Sequence, residues 1–547
     1  MAILYSISCR RCNCGAGDPP FVRTFYETTT NQTRSLSSKM RVNPVIPGFA
    51  PDPSLVYVDG TYFLVNSSFH IFPGVPVYES NDLRRWKHIG NALNRPRQLS
   101  LRHSVTKIVV DPTVPEDKVQ GGIYAPMIRY HKGTFYIVCT NILHKQSQAP
   151  DVSEYENFIL STTNIWADEW SDPIFYGFKG IDTSLFWDND DRVYLVGAAS
   201  SPNAKTKIRQ FEIDLRTGAK LSEEKLLWEG VTKVYPEGPH MYKKDGWYYL
   251  LITEGGCFAN HHTIISMSRD IWGPYEVNPA NLVMKKADPS AYIQHTGQWY
   301  FVCLGVRKTN GRFIMGRESV LTTATWPEGG YPKTDPVQVD ALLATKGGDL
   351  PVWPASRAAD RPDVAFVHIR YPIGKHYKLE GSIITLTATK ADVSQSDEPV
   401  TFIGKRQRRL TGSSSVVLGP LVPSKLKGSA LKTGLCYYKD EHRFIRAFLD
   451  MVSGDVVLEI VNKAKSIGLK TARHFVVLDN NACIAFGIDY TETELVLWYA
   501  VDESCEVRKE LGRVDTLDMT GLDFVGPIIG IYATSIARCK FGIPNSL

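Results

Sequence analysis

Acidic residues occur at one recurring place in this sequence, just ahead of an apolar run, a tight turn and an aromatic-rich run. "APDPSLVYVDGTYF" begins at Ala50, and "KADPSAYIQHTGQWYF" begins at Lys286. Carboxylates held close together can act as general acid, general base or nucleophile. The sequence therefore predicts a carboxylate-based catalytic centre. Five such phrases can be aligned, and the residues at the recurring place are Asp52, Ala125, Asp182, Glu237 and Asp288.

The spacing of the phrases indicates the elements that would bring these side chains together. The turn residues lie 73, 58, 55 and 51 residues apart, and alternating apolar positions flank each turn, as in a β-hairpin. A strand-built repeat of this length is typical of propeller blades, so we predict an all-β protein that begins with a five-bladed β-propeller. Equivalent positions of the blades surround one axis, and the acidic side chains should converge there. The turn residues are Gly60, Gly133, Asp191, Gly246 and Gly297.

Each acidic residue also has a purely structural interpretation, because Asp before Pro or Ser is common in turns and caps. Four acidic residues at the same position of the five repeats are harder to explain in this way. Like charges in a cleft raise the free energy of the folded protein and are retained where function needs them. We expect Asp288 to face the channel near Asp52, where a second carboxylate would disfavour ionisation of one of the two.

The chemistry that fits such a ring is glycoside hydrolysis, with one carboxyl group as acid and another as base or nucleophile. The sequence contains no phosphate-binding loop, no Cys/His metal signature and no Gly-x-Ser-x-Gly elbow, so we expect neither a metal nor a cofactor. The expected partner is an oligosaccharide. Nearby aromatic residues could stack on sugar rings or belong to the core; they are Phe69, Phe72, Tyr124 and Trp187.

Longer stretches resemble glycoside hydrolase family 43, in particular its two-domain β-xylosidase and α-L-arabinofuranosidase branch. The resemblance rests on "NPVIPGFAPDPSLVYVDGTYFLVNSSFHIFPG", "GIDTSLFWDNDDRVYLVG", "YPEGPHMYKKDGWYYLLITEGG" and "GRES" at Gly316. It is strong over residues 43–340 and weaker over 350–540. It implies a five-bladed propeller and an exo-acting, inverting enzyme that releases xylose and/or arabinose from xylo-oligosaccharides or arabinoxylan fragments.

The resemblance also implies roles for individual residues. Asp52 looks like the general base, Glu237 like the general acid, and Asp182 like the residue that raises the acid's pKa and orients it. Arg317, in "GRES", resembles the family arginine that contacts the sugar in the deepest subsite. Phe69 resembles the family's pocket-wall aromatic residue.

Two positions depart from the family pattern. Tyr124 stands where the family usually has Trp, and Asp288 stands where it commonly has His. A long insert before Tyr124, "HSVTKIVVDPTVPEDKVQ", could reshape the rim of the pocket. These departures keep open the alternative of a catalytically impaired carbohydrate-binding propeller protein. A retaining sucrose-hydrolase type is disfavoured, because it would carry Arg-Asp-Pro and Glu-Cys where this chain reads "IDT" and "EGP".

The chain divides into four predicted regions. Residues 1–42 are expected to be a disordered extension, 43–346 the propeller, 347–363 a Pro/Gly-rich linker, and 364–547 a β-sandwich built from short alternating strands. "DFVGPIIGIYA" resembles a family segment that caps the pocket. Phe524 within it is therefore a substrate-binding candidate, with a place in the sandwich core as the alternative.

Composition narrows the classes of protein further. Of the 547 residues, 43% are hydrophobic and 22% charged, and the net charge is +5, which suits a globular protein with no nucleic-acid partner. No apolar run approaches the ~20 residues of a membrane span. No signal peptide is evident, which favours a cytoplasmic location, with secretion as the alternative if the natural N-terminus differs. A homo-oligomer is also left open.

Overall fold

The structure is a computed structural model. Within its described part every regular element is a β-strand apart from three short 3-10 helices, Gly374–His376, Lys463–Lys465 and Thr516–Met519. No helix there has the length and apolar character needed to cross a membrane. The described residues are 2–6, 43–108, 118–144, 154–200, 206–232, 234–255, 261–278, 284–285, 289–295, 298–338, 356–396, 398–419, 430–477, 482–501, 507–521 and 524–535.

The first domain consists of five antiparallel sheets that follow one another along the chain, named blades 1 to 5. In blade 4, the short strand Met284–Lys285 also pairs with the third strand. The blade strands are Ser54–Val58, Thr61–Val65, Gly74–Ser80 and Lys87–Leu93 in blade 1; Gly122–His131, Thr134–Leu143, Glu154–Thr162 and Ile174–Tyr176 in blade 2; Gly180–Trp187, Val193–Ser200, Thr206–Glu212 and Lys225–Trp228 in blade 3; Glu237–Lys244, Trp247–Glu254, His262–Ser268 and Glu276–Val277 in blade 4; Pro289–His295, Gln298–Gly305, Glu318–Thr325 and Lys333–Thr334 in blade 5.

The first strands of the blades surround a common centre. Each contacts the first strands of both neighbouring blades, and blade 5 contacts blade 1, so the ring is closed. The segment that precedes blade 1 helps to close it, because Ile46 forms a β-bridge with Ser319 and the Asn43 amide donates to the Leu321 carbonyl at 2.7 Å. The predicted five-bladed β-propeller is confirmed.

The hairpin turns form where the repeats predict them. The residue before the turn glycine is left-handed in three blades: Asp59 before Gly60, Lys132 before Gly133, and Asp245 before Gly246. The φ angles of these pairs are 47° and 86°, 46° and 85°, and 52° and 71°. Two consecutive left-handed residues make the type I′ turn, whose twist matches that of the flanking strands.

The starts of blades 1 to 4 each carry a second left-handed residue. Asp52, Ala125, Asp182 and Gly238 have φ values of 48°, 38°, 54° and 59°. In blades 2 to 4 this residue opens a β-bulge against the second strand, and a bulge re-aims the neighbouring side chains. The alignment of the repeats places Glu237 at the same position as Asp52 and Asp182. In the structure Gly238 has the left-handed conformation of that position, so the alignment is wrong by one residue in blade 4.

The second domain is built from two antiparallel sheets that enclose an apolar core, as predicted for a β-sandwich. One sheet runs, in spatial order, Tyr377–Glu380, Ile383–Thr387, Ala2–Ser6, Gly412–Leu418, Ile484–Tyr490, Glu494–Ala500 and Lys509–Asp515. The other runs Phe402–Arg406, Ile528–Ser535, Leu431–Asp440, Arg443–Asp450, Asp455–Asn462 and Ile467–Phe475. Two strand pairs lie outside these sheets: Ile71–Phe72 with His368–Ile369, and Thr106–Ile108 with Lys118–Gln120.

The N-terminal region differs from the expected disordered extension at its start. Residues 2–6 form a strand that pairs with Ile383–Thr387 along its whole length and with the end of Gly412–Leu418. The short sequence "AILYS" contains the β-favouring residues that such a position needs, and the two flanking strands would otherwise present unpaired backbone groups. Residues 7–42 lie outside the described part of the chain.

The two domains approach each other closely at glycine residues. Gly48 is left-handed, with φ 76°, and a Cβ placed there would lie 2.0 Å from the Gln407 carbonyl oxygen. Gly316, with φ 69°, would bring a Cβ within 2.4 Å of the Val525 carbonyl oxygen. Backbone therefore packs on backbone at this interface, which leaves no room for side chains there.

We expect Gly48→Ala to destabilise the protein more than Gly60→Ala. Both glycines are left-handed, which costs an alanine about 1–2 kcal/mol. A Cβ at Gly60 meets nothing within 4 Å, whereas one at Gly48 meets the second domain's backbone. Calorimetry at one scan rate would measure the midpoint temperatures. Equal decreases for the two variants would contradict the tight packing of the interface at Gly48.

Candidate active site

A cavity of about 310 Å³ opens where the first strands of the blades begin. Asp52 from blade 1, Asp182 from blade 3 and Glu237 from blade 4 all line it. The structure therefore brings together the three acidic residues that the sequence singles out in these blades. The remaining lining residues are Ser54, Val119, Tyr124, Ala125, Pro126, Met127, Ile142, His144, Tyr155, Ile181, Thr183, Ser184, Gly238, Pro239, His240, His261, Arg317 and Phe524.

Asp52 faces a guanidinium group. Arg317 Nη1 lies 3.4 Å from Asp52 Oδ1, and both side chains are about nine-tenths buried. Opposite charge at this distance favours the ionised carboxylate. The guanidinium carbon of Arg317 also lies 4.0 Å from the ring centroid of Phe524, which is a cation–π contact. A side chain of the second domain thus contacts the cation that faces Asp52.

Asp182 is held against the strand that carries Glu237. Its Oδ2 accepts a hydrogen bond of 3.1 Å from the backbone N–H of Gly238, the residue next to Glu237. The bulges in blades 3 and 4 make this contact possible, because each re-aims the backbone at the start of its strand.

Behind the carboxylates, burial and then the nearby charges of Asp182 and Asp52 raise the pKa of Cys139 well above its usual value. This shift favours the neutral thiol, which is a weaker nucleophile than the thiolate.

Glu237 lies beside two histidines. His261 Nδ1 is 3.9 Å from Glu237 Oε1, and the Glu237 side chain is 14% exposed. His240 lines the same cavity. It lies three residues beyond Glu237, which in a regular strand would place it on the opposite face. The bulge at Gly238 and Pro239 adds one residue, so that both side chains project to one side.

The loop that leads to Glu237 is anchored by a buried carboxylate. Glu254 is completely buried and accepts from Trp228 Nε1 at 2.9 Å, from Val231 N at 2.8 Å, and from Thr232 N and Oγ1 at 2.7 and 2.6 Å. Four donors on one carboxylate compensate for the loss of water around a buried charge. These bonds fix residues 231 and 232, which precede the blade 4 strand.

The aromatic residues form two layers. Tyr124 lines the cavity and donates its hydroxyl to the Gln120 carbonyl. Phe69 is completely buried and lies behind the wall, 4.8 Å from the Tyr124 ring and 5.8 Å from the Phe524 ring. Phe69 is not among the residues that line the cavity, and its role in substrate binding stays a prediction. Trp187 stacks on His131 and does not line the cavity.

Several lining residues were not among the predicted site residues. They include His144, Tyr155, His240 and His261. His144 donates Nδ1–H to the Val105 carbonyl at 2.9 Å, and burial lowers its pKa to about 4. It is therefore neutral above that pH. The "EGPH" spacing could have indicated His240 only if the bulge had been recognised.

Asp288 lies outside the described residues, so its channel-facing position stays a prediction. Among the residues that the structure describes, no group of three or more His, Cys, Asp or Glu side chains could hold a metal ion. The cytoplasmic location and the homo-oligomer also stay predictions from the sequence. The arrangement places one carboxylate opposite a cation and two more on neighbouring blades, and carboxyl groups gathered in one cavity can take part in proton transfer.

Comparison with known proteins gives consistent matches. The family model described as "Glycosyl hydrolases family 43" matches residues 42–332. A non-reducing end alpha-L-arabinofuranosidase of Bacteroides ovatus is 31% identical over 528 residues, covering 91% of this chain and 92% of that protein. A xylan 1,3-beta-xylosidase of a Vibrio species is 28% identical over 551 residues, covering 91% and 96% of the two chains.

Solved structures match over nearly the whole chain. The structure described as "Bacteroides ovatus Xyloglucan PUL GH43B" has a TM-score of 0.74 and 29% identity, and covers 90% of this chain and 95% of that chain. A xylan beta-1,4-xylosidase from Bacillus halodurans C-125 has a TM-score of 0.77 with 23% identity, covering 92% and 98%. The second likeness concerns the fold alone. Both confirm the propeller followed by a sandwich.

Replacement of Phe524 by Leu tests whether this residue belongs to the site or only to the core. Phe524 packs in a buried cluster and also contacts Arg317. We expect Phe524→Leu to raise KM for a glycoside substrate about tenfold or more, since the contact with Arg317 is worth about 1–2 kcal/mol when desolvated.

The matched control is Phe486→Leu, at a completely buried position in the sandwich core. It should lower the midpoint temperature of unfolding without changing KM. If Phe524→Leu also leaves KM at the wild-type value, Phe524 is a core residue only.

Proposed function

The chain belongs to glycosyl hydrolase family 43, and on this basis we propose that it is an exo-acting glycoside hydrolase. It removes xylose and/or arabinose from the non-reducing ends of xylo-oligosaccharides or arabinoxylan fragments. The observation that carries the proposal is the convergence of Asp52, Asp182 and Glu237 on one cavity. The names of the relatives, an arabinofuranosidase and a xylosidase, support the substrate class.

In the proposed reaction Glu237 is the general acid. It donates its proton to the oxygen of the leaving group as the glycosidic bond breaks. A general acid must remain protonated near neutral pH, and a neighbouring negative charge disfavours its ionisation. Asp182 supplies that charge, because it is hydrogen-bonded to the backbone N–H next to Glu237.

Asp52 is the proposed general base. It takes a proton from the water that attacks the anomeric carbon, while the proton of Glu237 leaves with the departing hydroxyl group. A base must be ionised to work, and the Arg317 guanidinium at 3.4 Å favours the ionised form. Arg317 also reaches the cavity and would donate to the hydroxyl groups of the bound sugar.

The alternative of a catalytically impaired binding protein has weaker support. The cavity retains the carboxylates for both the acid and the base roles, and a binding protein would not need them. Tyr124 lines the cavity with its hydroxyl bonded to the Gln120 carbonyl. It therefore presents an aromatic surface at the place where the family usually has Trp.

The roles of Asp52 and Glu237 can be separated with two aryl glycosides, one whose leaving group needs protonation and one whose leaving group is a strongly acidic dinitrophenol. We expect Glu237→Gln to reduce kcat/KM about 10²–10⁴-fold on the first and much less on the second. Asp52→Asn should reduce both alike, because attack by water needs the base in either case. Both the β-xyloside and the α-arabinofuranoside series would be measured.

Asp214→Asn is a suitable control, since Asp214 is a turn residue that accepts from the backbone N–H of Arg216. It should keep the wild-type rates on all substrates. A Glu237→Gln variant that loses the same factor on both leaving groups would show that Glu237 is not the acid. A wild-type protein inactive on both sugar series would refute the proposed function.

The anomeric configuration should invert. Asp52 and Glu237 lie on different blades, which favours a separation wide enough for a water molecule between the sugar and the base. Proton NMR of the first product should show α-xylose from a β-xyloside. Early appearance of the β anomer, or formation of a methyl glycoside in added methanol, would indicate retention instead.

A further inference from the structure

The turn between two sandwich strands is buried, although hairpin turns normally lie in solvent. Strands Leu431–Asp440 and Arg443–Asp450 are joined by Glu441 and His442. Asp440, Glu441 and Arg443 are completely buried. Ionisable side chains are almost never fully buried unless they are paired, so this turn requires an explanation.

Several of its hydrogen bonds are made with the propeller. Glu441 Oε1 accepts from the backbone N–H of Thr106 at 2.8 Å, and Oε2 accepts from Thr106 Oγ1 at 3.1 Å. His442 Nε2 donates to the Thr106 carbonyl at 3.1 Å. Arg370 Nη1 lies 3.8 Å from Glu441 Oε2 and balances its charge. The turn therefore binds both backbone groups and the side chain of one propeller residue.

Thr106 belongs to the small hairpin that builds one wall of the cavity. It pairs with Gln120, whose carbonyl accepts the Tyr124 hydroxyl. The neighbouring Val105 carbonyl accepts from His144 Nδ1 at 2.9 Å and from Gly121 N at 2.9 Å. Tyr124 and His144 line the cavity, as does Val119 of the same hairpin. The described ends of the insert that the sequence places before Tyr124, residues 103–108 and 118–120, belong to this wall.

The turn and Phe524 lie at the same end of the sandwich. Strand Ile528–Ser535 starts four residues after Phe524 and pairs with Leu431–Asp440, with Ile528 opposite Tyr438. Asp440 ends its strand where Ile528 begins the neighbouring one. One end of the sandwich therefore makes two contacts near the cavity, that of Phe524 with Arg317 and that of Glu441 with Thr106.

We propose that Glu441, a residue of the second domain, is a positioning residue of the active site. It fixes the position of the cavity wall that Val119, Tyr124 and His144 form. It does not touch the substrate. Its two hydrogen bonds hold Thr106, and Thr106 holds the hairpin on which the wall depends. The inference rests on the proposed glycosidase function, because the wall is assigned to that cavity.

Two substitutions weaken this contact by different routes. Glu441→Gln keeps the shape of the side chain but replaces one acceptor oxygen of the carboxylate with an NH₂ donor that faces Arg370. Thr106→Val keeps the backbone N–H and removes the 3.1 Å hydroxyl bond. We expect each to lower kcat/KM on the unactivated glycoside about 10–100-fold, since small displacements of positioning groups cost up to ~10². Thr106→Ser should restore the wild-type rate, and the double variant should be non-additive.

The matched control is Glu459→Gln. Glu459 is a buried carboxylate of the same sheet that accepts from Arg446 Nε at 2.6 Å within the sandwich. It should lower the unfolding midpoint without changing kcat/KM at a temperature where all variants are folded. If the Glu441 and Thr106 variants also keep wild-type kcat/KM there, or if Glu459→Gln loses as much as they do, the proposal is wrong.

Wild-type activity is measured first, so that failure of the glycosidase assignment is distinguished from failure of the positioning role. If Glu441→Gln does not fold, Thr106→Val against Thr106→Ser decides the question alone. Loss of activity in the valine variant and its return in the serine variant would support the positioning role. Equal activity in the two would overturn it.

Discussion

Three carboxylates line one small cavity. Like charges held close together repel one another, so the surrounding structure must supply groups that stabilise each carboxylate. Each carboxylate has its own neighbouring group: Arg317 for Asp52, the Gly238 N–H for Asp182, and His261 for Glu237. A full cation favours ionisation more than a single amide dipole does. The three groups therefore occupy different electrostatic environments, which an acid and a base in one site require.

These environments depend on backbone geometry that ordinary strands do not supply. Asp52 and Asp182 are left-handed, and a bulge follows Asp182 and another follows Glu237. Left-handed conformations of non-glycine residues cost about 1–3 kcal/mol each and persist where the surrounding structure imposes them. Here the closed ring of first strands imposes them, since each strand contacts both of its neighbours.

The second domain contributes to the site in a way that a separate accessory module would not. Phe524 contacts the arginine that faces Asp52, and Glu441 accepts two hydrogen bonds from Thr106 of the hairpin behind Tyr124. Close backbone contacts at Gly48 and Gly316 keep the domains in one arrangement. The packing of the sandwich on the propeller is thus part of the active-site geometry.

The sequence by itself determined the blades and their turns, because apolar alternation and turn residues are local properties of the chain. The repeats also pointed to the three acidic residues that line the cavity, and the resemblance of longer stretches indicated the family. Tertiary structure decided three things that local patterns do not contain. The left-handed position at the start of blade 4 belongs to Gly238 and not to Glu237, and the bulge that follows places His240 on the same side as Glu237. Packing covered Phe69 with Tyr124 and Phe524. A buried turn far along the chain was brought against Thr106, a contact across 335 residues that only the docking of the two domains creates.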